Sequence, residues 1–254
     1  MLGRSVRAAV FETPLAEMTI NRGVLVGVDG CPGGWLAVRE WPSNHVDALV
    51  YGSFKDLLTD LPSPAAIAID IPIGLPDVGS RACDEAARKH LQFPRMCSVF
   101  PAPIRPLLAA VSHADACRIR FDVEGKKVSK QVFAILRKVR EVDEALTHTP
   151  AVRTIVTEVH PELSFAMWNE GRPLLHAKRR PEGKSERRAL IEAAWPGVIS
   201  SCQTYLGSAE YQLDDLHDAL AALWSARRIV AGTFRRFPSV DEHDRHGLPM
   251  RIVA

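Results

Sequence analysis

The sequence predicts an α/β fold: a mixed five-stranded sheet flanked by helices, with a helical insertion after the fourth strand. Two observations carry this. The apolar runs 24–28 (VLVGV) and 65–69 (AAIAI) are short, flanked by turn residues, and each is followed by an aspartate. Runs of that length and composition read as strands buried on both faces. Segments with helical spacing separate and follow them, which places helices against a largely covered sheet.

The elements follow in order. After the first strand comes a turn, Gly30 to Gly34, and then strands over 35–41 and 45–51 separated by Pro42-Ser43-Asn44, an antiparallel meander. Phe54, Leu57, Leu58 and Leu61 repeat at helical spacing over 54–61. The strand 65–69 ends at Asp70, where Pro72 disfavours helix at Ile71. Helices are expected over 80–91, with Ser80 as N-cap, and over 107–120 and 129–146, the last with an apolar stripe at Val132, Phe133, Leu136, Val139, Val142 and Leu146. A fifth strand is expected over 154–159, stopped by His160-Pro161, then a basic loop over 178–184 and a helix over 185–195. A long helix over 214–230 has Asp214 as its expected N-cap and Gly232 as terminator, and 249–253 reads as an edge strand. Residues 1–22 read as a flexible tail and 23–254 as a single domain.

Composition narrows the class. With 254 residues, 46% hydrophobic and 24% charged, the chain is long enough to bury a core without staples. The five cysteines form no C-x-x-C pair, which argues against a disulfide framework and a cysteine zinc site and places the chain in a reducing cytoplasm. No apolar run reaches the ~20 residues of a membrane span. A net charge of +2 leaves open whether a basic patch for nucleic acid exists. Oligomeric state is not encoded in these features.

The chemistry-bearing pattern is acidic. Asp29 and Asp70 each stand where a buried strand ends, the side of an open α/β sheet on which active sites form. If the two strands are parallel neighbours, ~4.8 Å apart, the carboxylates face each other and repel, and a divalent cation relieves the repulsion. Oxygen-only ligands favour Mg²⁺ or Mn²⁺ over zinc. Asp215 and Asp218 lie three apart on one face of the late helix, and Leu216, Leu220 and Leu223 can seat that helix on the sheet. Glu158 is a further candidate at the end of the fifth strand. Each acid also has a plainer reading, as a turn former, helix cap or solvated face.

Several longer stretches resemble one family. They are VGVDGCPGGW from Val26, IAIDIPIGLPD from Ile67, SRACDEAAR from Ser80, CSVFPAPIRP from Cys97, SKQVFAILRKVREVD from Ser129, EVHPELSF from Glu158 and DDLHDALAALWSA from Asp214. Together they resemble the predicted ribonuclease-H-like nuclease family known as domain of unknown function 429. The last stretch is also similar to the final helix of bacterial Holliday-junction resolvases, where two aspartates three apart ligate metal. The resemblance implies a ribonuclease-H-like fold with Asp29, Asp70, Asp215 and Asp218 as metal ligands and Glu158 as a ligand or as a partner that orients one.

On that footing the expected reaction is hydrolysis of a phosphodiester, in nucleic acid or another substrate, by two Mg²⁺ or Mn²⁺ ions bridged by Asp29. Positive groups for phosphates are expected from Arg81 and Arg88 beside the proline-rich 94–106 loop, from Lys130 and Lys138, and from Lys178 with Lys184, Arg187 and Arg188 behind it. The plain alternative is that these are ion-paired or solvated. His160 is a candidate for proton transfer, or else a hydrogen-bonded structural histidine. Two other functions fit the same residues. One is a nucleotide- or nucleic-acid-binding domain without catalysis. The other is an actin-like phosphotransferase with Gly30 to Gly34 around a phosphate, although such proteins carry two copies of the core.

Overall fold

The chain was analysed as a computed structural model that describes residues 23–254; the expected tail, 1–22, lies outside the described residues. The elements are β1 (Val24–Cys31), β2 (Gly34–Glu40), β3 (Val46–Tyr51), α1 (Phe54–Asp60), β4 (Pro64–Ile69), α2 (Ala82–Arg95), α3 (His113–Glu124), α4 (Lys130–His148), α5 (Pro150–Ile155), β5 (Val156–Glu158), α6 (Pro161–Trp168), α7 (Pro181–Ala194), α8 (Val198–Leu206), α9 (Leu213–Ala231), β6 (Arg236–His243) and β7 (Pro249–Val253). The main sheet runs β3-β2-β1-β4-β5. β1 is antiparallel to β2 and parallel to β4, and β4 is parallel to β5. The five strands, the mixed sheet and the helical insertion after β4 are as the sequence predicts.

Both faces of β1 are buried, which is why it reads as an unbroken apolar run. Val24, Val26 and Val28 join Ile67, Ile69, Val139 and Val142 on one face. Leu25 lies on the other with Ala66, Ala68 and the α9 residues Leu216, Ala219, Leu220 and Leu223. Gly27 belongs to this second face and lets α9 lie directly on the strand. A Cβ there would overlap the backbone N of Leu223 and the backbone O of Ala219. Gly27→Ala is therefore expected to lower unfolding free energy by about 1–3 kcal/mol through overpacking. Urea denaturation checks this, and a loss within error of zero would mean that helix and strand do not touch there.

The structure departs from the sequence reading at several elements, each for a local reason. Asp29 is not the last residue of its strand: β1 pairs on with β2 through Cys31↔Gly34, and only its pairing with β4 stops at Val28↔Ile69. The expected helix 107–120 splits, because Ser112 accepts from Asp115 N and begins α3 one residue later, after a short 3-10 turn at Arg105–Ala109. The expected strand 154–159 shrinks to three residues, because Pro150 starts a helical turn through Ile155. Likewise Pro181 opens α7 inside the stretch read as a basic loop. Ser80 does not cap α2; Arg81 holds that position and the Ser80 hydroxyl bonds Glu85. Helix α9 begins one residue before Asp214, with Gln212 as cap and Asp215 Oδ2 accepting from Gln212 N at 2.8 Å. The segment 249–253 is a strand, but it pairs antiparallel with β6 and meets the main sheet through a bridge from Val253 to Val159.

Candidate functional site

The register of β1 and β4 sets Asp29 beside Asp70. Val28 and Ile69 are partners, and Asp70 N donates to Val28 O at 2.9 Å. Side chains alternate along a strand, so Asp29 follows Leu25 and Gly27 onto the α9 face. There it meets Asp218, on the turn of α9 that precedes the Gly27 contact. Asp29 is 8% and Asp218 3% exposed, and Asp70 is partly buried.

The electrostatics show that these carboxyls sense one another. Burial, then the charges of Asp70 and Asp218, push Asp29 well above the ordinary carboxylate range. Burial pushes Asp70 up to about 7, with Lys178 opposing and Glu162 adding to the rise. Burial likewise pushes Asp218 up to about 6, again opposed by Lys178. Asp215 is half-buried, is raised chiefly by burial, and adds to the negative field at Asp29 while its Oδ2 holds the helix cap. Asp29, Asp70 and Asp218 are thus brought together, with Asp215 at their edge.

Lys178 supplies positive charge to this group. It precedes α7, and its Nζ lies 2.5 Å from Asp218 Oδ2. That pairing, together with Asp29 and Asp70, holds the ammonium above its ordinary pKa. Asp218 Oδ1 stays buried with no hydrogen-bond partner. Among the described residues, no three His, Cys, Asp or Glu side chains already close on a point that would hold a metal ion.

Glu158 does not join the group. It is the register partner of Ile69 and follows Val156 onto the opposite face of the sheet. There its two oxygens take a bidentate pair from Arg81, at 2.7 and 2.8 Å, and Oε2 also accepts from Ile73 N at 2.7 Å. Four residues later Glu162, in the first turn of α6, adds its charge to Asp70 and Asp218 while pairing with the buried Arg187. Glu162 was missed by the sequence reading. The signal was present in EVHPE, since an acid directly after an N1 proline sits at a helix start.

The positive candidates sort differently from expectation. Arg81 is 2% exposed, and it bonds Glu158, Asp84 and Ile73 O, so no phosphate reaches it. Arg88 donates to Val99 O at 2.8 Å. Lys138 donates to the carbonyls of Cys31 and Gly34 and lies over the Trp35 ring, which ties the β1–β2 turn to α4. Lys178 faces carboxylates. Lys130 alone of the five is exposed on a helix surface with its side chain free of bonds to the described residues. His160 has Nδ1 buried and unpartnered and is held below its ordinary pKa chiefly by burial.

Two buried arginines hold the loop that carries Asp70. Arg81 fixes it at Ile73, as above. Arg105 bonds Asp143 and Asp244, Asp244 accepts from Leu75 N at 3.0 Å, and Arg105 N donates to Pro76 O at 2.8 Å. Three of the family-like stretches thus share one physical role: IAIDIPIGLPD is the loop, and SRACDEAAR and CSVFPAPIRP carry the guanidinium groups that pin it.

A family model described as "Protein of unknown function (DUF429)" matches residues 27–243. No curated protein and no solved structure matches the chain. The family match starts within β1 and ends with β6, so it takes in every acid of the buried group. The chain belongs to the DUF429 family.

Proposed function

We propose that the chain is a metal-dependent phosphodiester hydrolase of ribonuclease-H-like architecture, using a carboxylate-bound two-metal site on nucleic acid or another phosphodiester. The observation that carries this reading is the convergence of Asp29, Asp70 and Asp218 in a buried place with more negative charge than Lys178 balances. Burying like-charged carboxylates is costly, and such clusters occur where a cation is taken up. A three-stranded meander followed by parallel crossover strands, with helices on both faces, supports the architectural part.

The residues fit Mg²⁺ or Mn²⁺ in donor chemistry. All the donors are oxygens, Asp218 Oδ1 is an acceptor without a partner, and the three acids are each raised in pKa by burial. Asp29, Asp70 and Asp218 would hold the metal, with Asp215 at the rim. A bound divalent cation supplies an activated water and neutralises charge on the leaving oxygen. The chain's own residues do the rest. Arg81 and Arg105 fix the Asp70 loop, Glu162 maintains the negative field, and Lys178 balances charge until it is displaced.

A second reading is favoured by the Lys178–Asp218 pair itself, since an ammonium held in the acid cluster suits a nucleic-acid-binding domain that needs no metal. One experiment separates the two. Thermal unfolding with Mn²⁺ and Mg²⁺, alongside cleavage of structured and unstructured DNA and RNA, is run on the wild type and Asp29→Asn. A ligand at a hundredfold its Kd stabilises by about 2.7 kcal/mol. Metal stabilisation and cleavage that both vanish in Asp29→Asn support hydrolysis. Cleavage that survives the substitution, or absence of any metal effect, defeats it.

A further inference from the structure

We propose that the cavity between α7, α8 and the first turns of α9 binds a phosphate group. The cavity holds about 410 Å³, within the range of small-molecule sites. Its polar wall is Lys184, Ser185 and Arg188 from α7, Ser200 and Gln203 from α8, and His217 from α9. Among the described residues, no carboxylate lines it.

His217 is the observation that calls for a ligand. Its residue is 2% exposed, and both ring nitrogens are buried with no hydrogen-bond partner. Leaving a buried donor or acceptor unpaired costs about 1–3 kcal/mol, so unpaired groups of this kind mark a place where something else supplies the partner. Lys184 and Arg188 stand on this wall and form no ion pair with the described residues, whereas Arg187 behind them is balanced by Glu162. The field in the cavity is therefore positive.

The donor set selects phosphate among anions. An ammonium, a guanidinium fork, two hydroxyls, an amide and an imidazole N–H offer more hydrogen bonds than a carboxylate can accept, and Arg pairs with phosphate oxygens bidentately. Ile199 and Leu213 complete the wall with apolar surface, which suits a sugar or base carried by the phosphate. His217 and Asp218 are consecutive on α9, so the cavity sits about 100° round the helix from the carboxylate group. A strand of nucleic acid passing that group presents a neighbouring phosphate here, and a free nucleotide offers the same chemistry.

Binding in this cavity does not depend on hydrolysis, and its test is run in EDTA. Binding of inorganic phosphate and of a short 5′-phosphorylated single-stranded oligonucleotide is measured by calorimetry for wild type, Lys184→Gln/Arg188→Gln, the cavity-filling Ser200→Leu, and Lys55→Gln as an exposed charge control. Both cavity variants are expected to weaken binding about tenfold or more, with a shallower salt dependence, and Lys55→Gln is not. A loss seen with both probes supports the phosphate site itself, and a loss confined to the oligonucleotide identifies a phosphate carried by nucleic acid. A loss confined to inorganic phosphate identifies a free phosphate or nucleotide. Unchanged binding of both probes in both variants, or no binding by the wild type, overturns the proposal. Asp29→Asn is expected to retain the binding, so failure of the hydrolase reading stays distinguishable.

Discussion

Arg81→Met is expected to destabilise the protein by about 3–5 kcal/mol, the cost of stranding buried charge when one partner of a buried pair is removed. The arginine is 2% exposed and compensates two carboxylates, Glu158 at 5% and Asp84 at 3%. Methionine matches its stem but removes the guanidinium from both acids and from Ile73 O, leaving Glu158 only the Ile73 N–H and Asp84 only the Ala102 N–H as backbone donors. Burial already pushes Glu158 up to about 7 while Arg81 pulls it down. Without Arg81 its folded pKa rises further above its unfolded value. A group raised in this way costs least when protonated, so the deficit should widen as pH rises from 5 to 8. Adding Glu158→Gln should recover part of the loss, because a neutral amide is cheaper to bury than an unpaired carboxylate. Urea unfolding at the two pH values reads all of this. A loss below 1 kcal/mol, or one that does not change with pH, would show that water reaches the network. The same substitution frees the Asp70 loop at Ile73, so it should also weaken any Mn²⁺ response without touching a ligand.

Asp70→Asn carries the opposite sign. In metal-free buffer at pH 8 it is expected to stabilise the protein by about 2 kcal/mol, a figure that allows for the solvent reaching this partly buried side chain. Asp70 and Asp218 are raised to about 7 and about 6, from an ordinary 3.8, and Asp29 is also raised. Native carboxyls with raised pKa values hold their protons more tightly than the unfolded chain does. Their contribution to stability is complete below about pH 4 and is lost as pH climbs through 6 and 7. The metal-free wild type should therefore lose stability from these groups between pH 4 and 8. The asparagine variant lacks one such carboxylate and so loses part of that slope. Mn²⁺ reverses the order, because the wild type gains stability near neutral pH and the variant does not. Thermal unfolding across pH, with EDTA or Mn²⁺, gives the four curves. A wild type whose metal-free stability stays flat between pH 4 and 8 would mean that these groups ionise as freely as in the unfolded chain, and the basis for metal uptake would be gone.

Much of the frame was legible in the chain. Buried strands declare themselves by apolar runs, as 24–28 and 65–69 do, and the long amphipathic helices by spacing. Asp29 and Asp70 stood out together because each follows an apolar run, and Asp215 and Asp218 because they lie three apart near a helix start. What failed was direction. Glu158 and Asp70 are both acids at adjacent strand ends, but Glu158 shares the face of Val156 and Ile69, and one residue of alternation sends Asp70 to the other. Arg81 and Lys138 looked like phosphate binders because a charge count does not reveal burial. Lys178 looked like one as well, yet it turns inward.

The amino-acid sequence by itself determined strands β1 to β4, the helix stripes and the acids Asp29, Asp70 and Asp218, because periodicity and chain polarity are local properties. It also contained Gly27, though not the reason for it. Only the tertiary structure decided which charges meet. Register between β1 and β4, the close seating of α9 on Gly27, and the fold of the chain that brings Lys178 and Glu162 to Asp218 are contacts between residues distant in sequence. Electrostatic energy depends on those separations and on burial, and neither is written in any one segment.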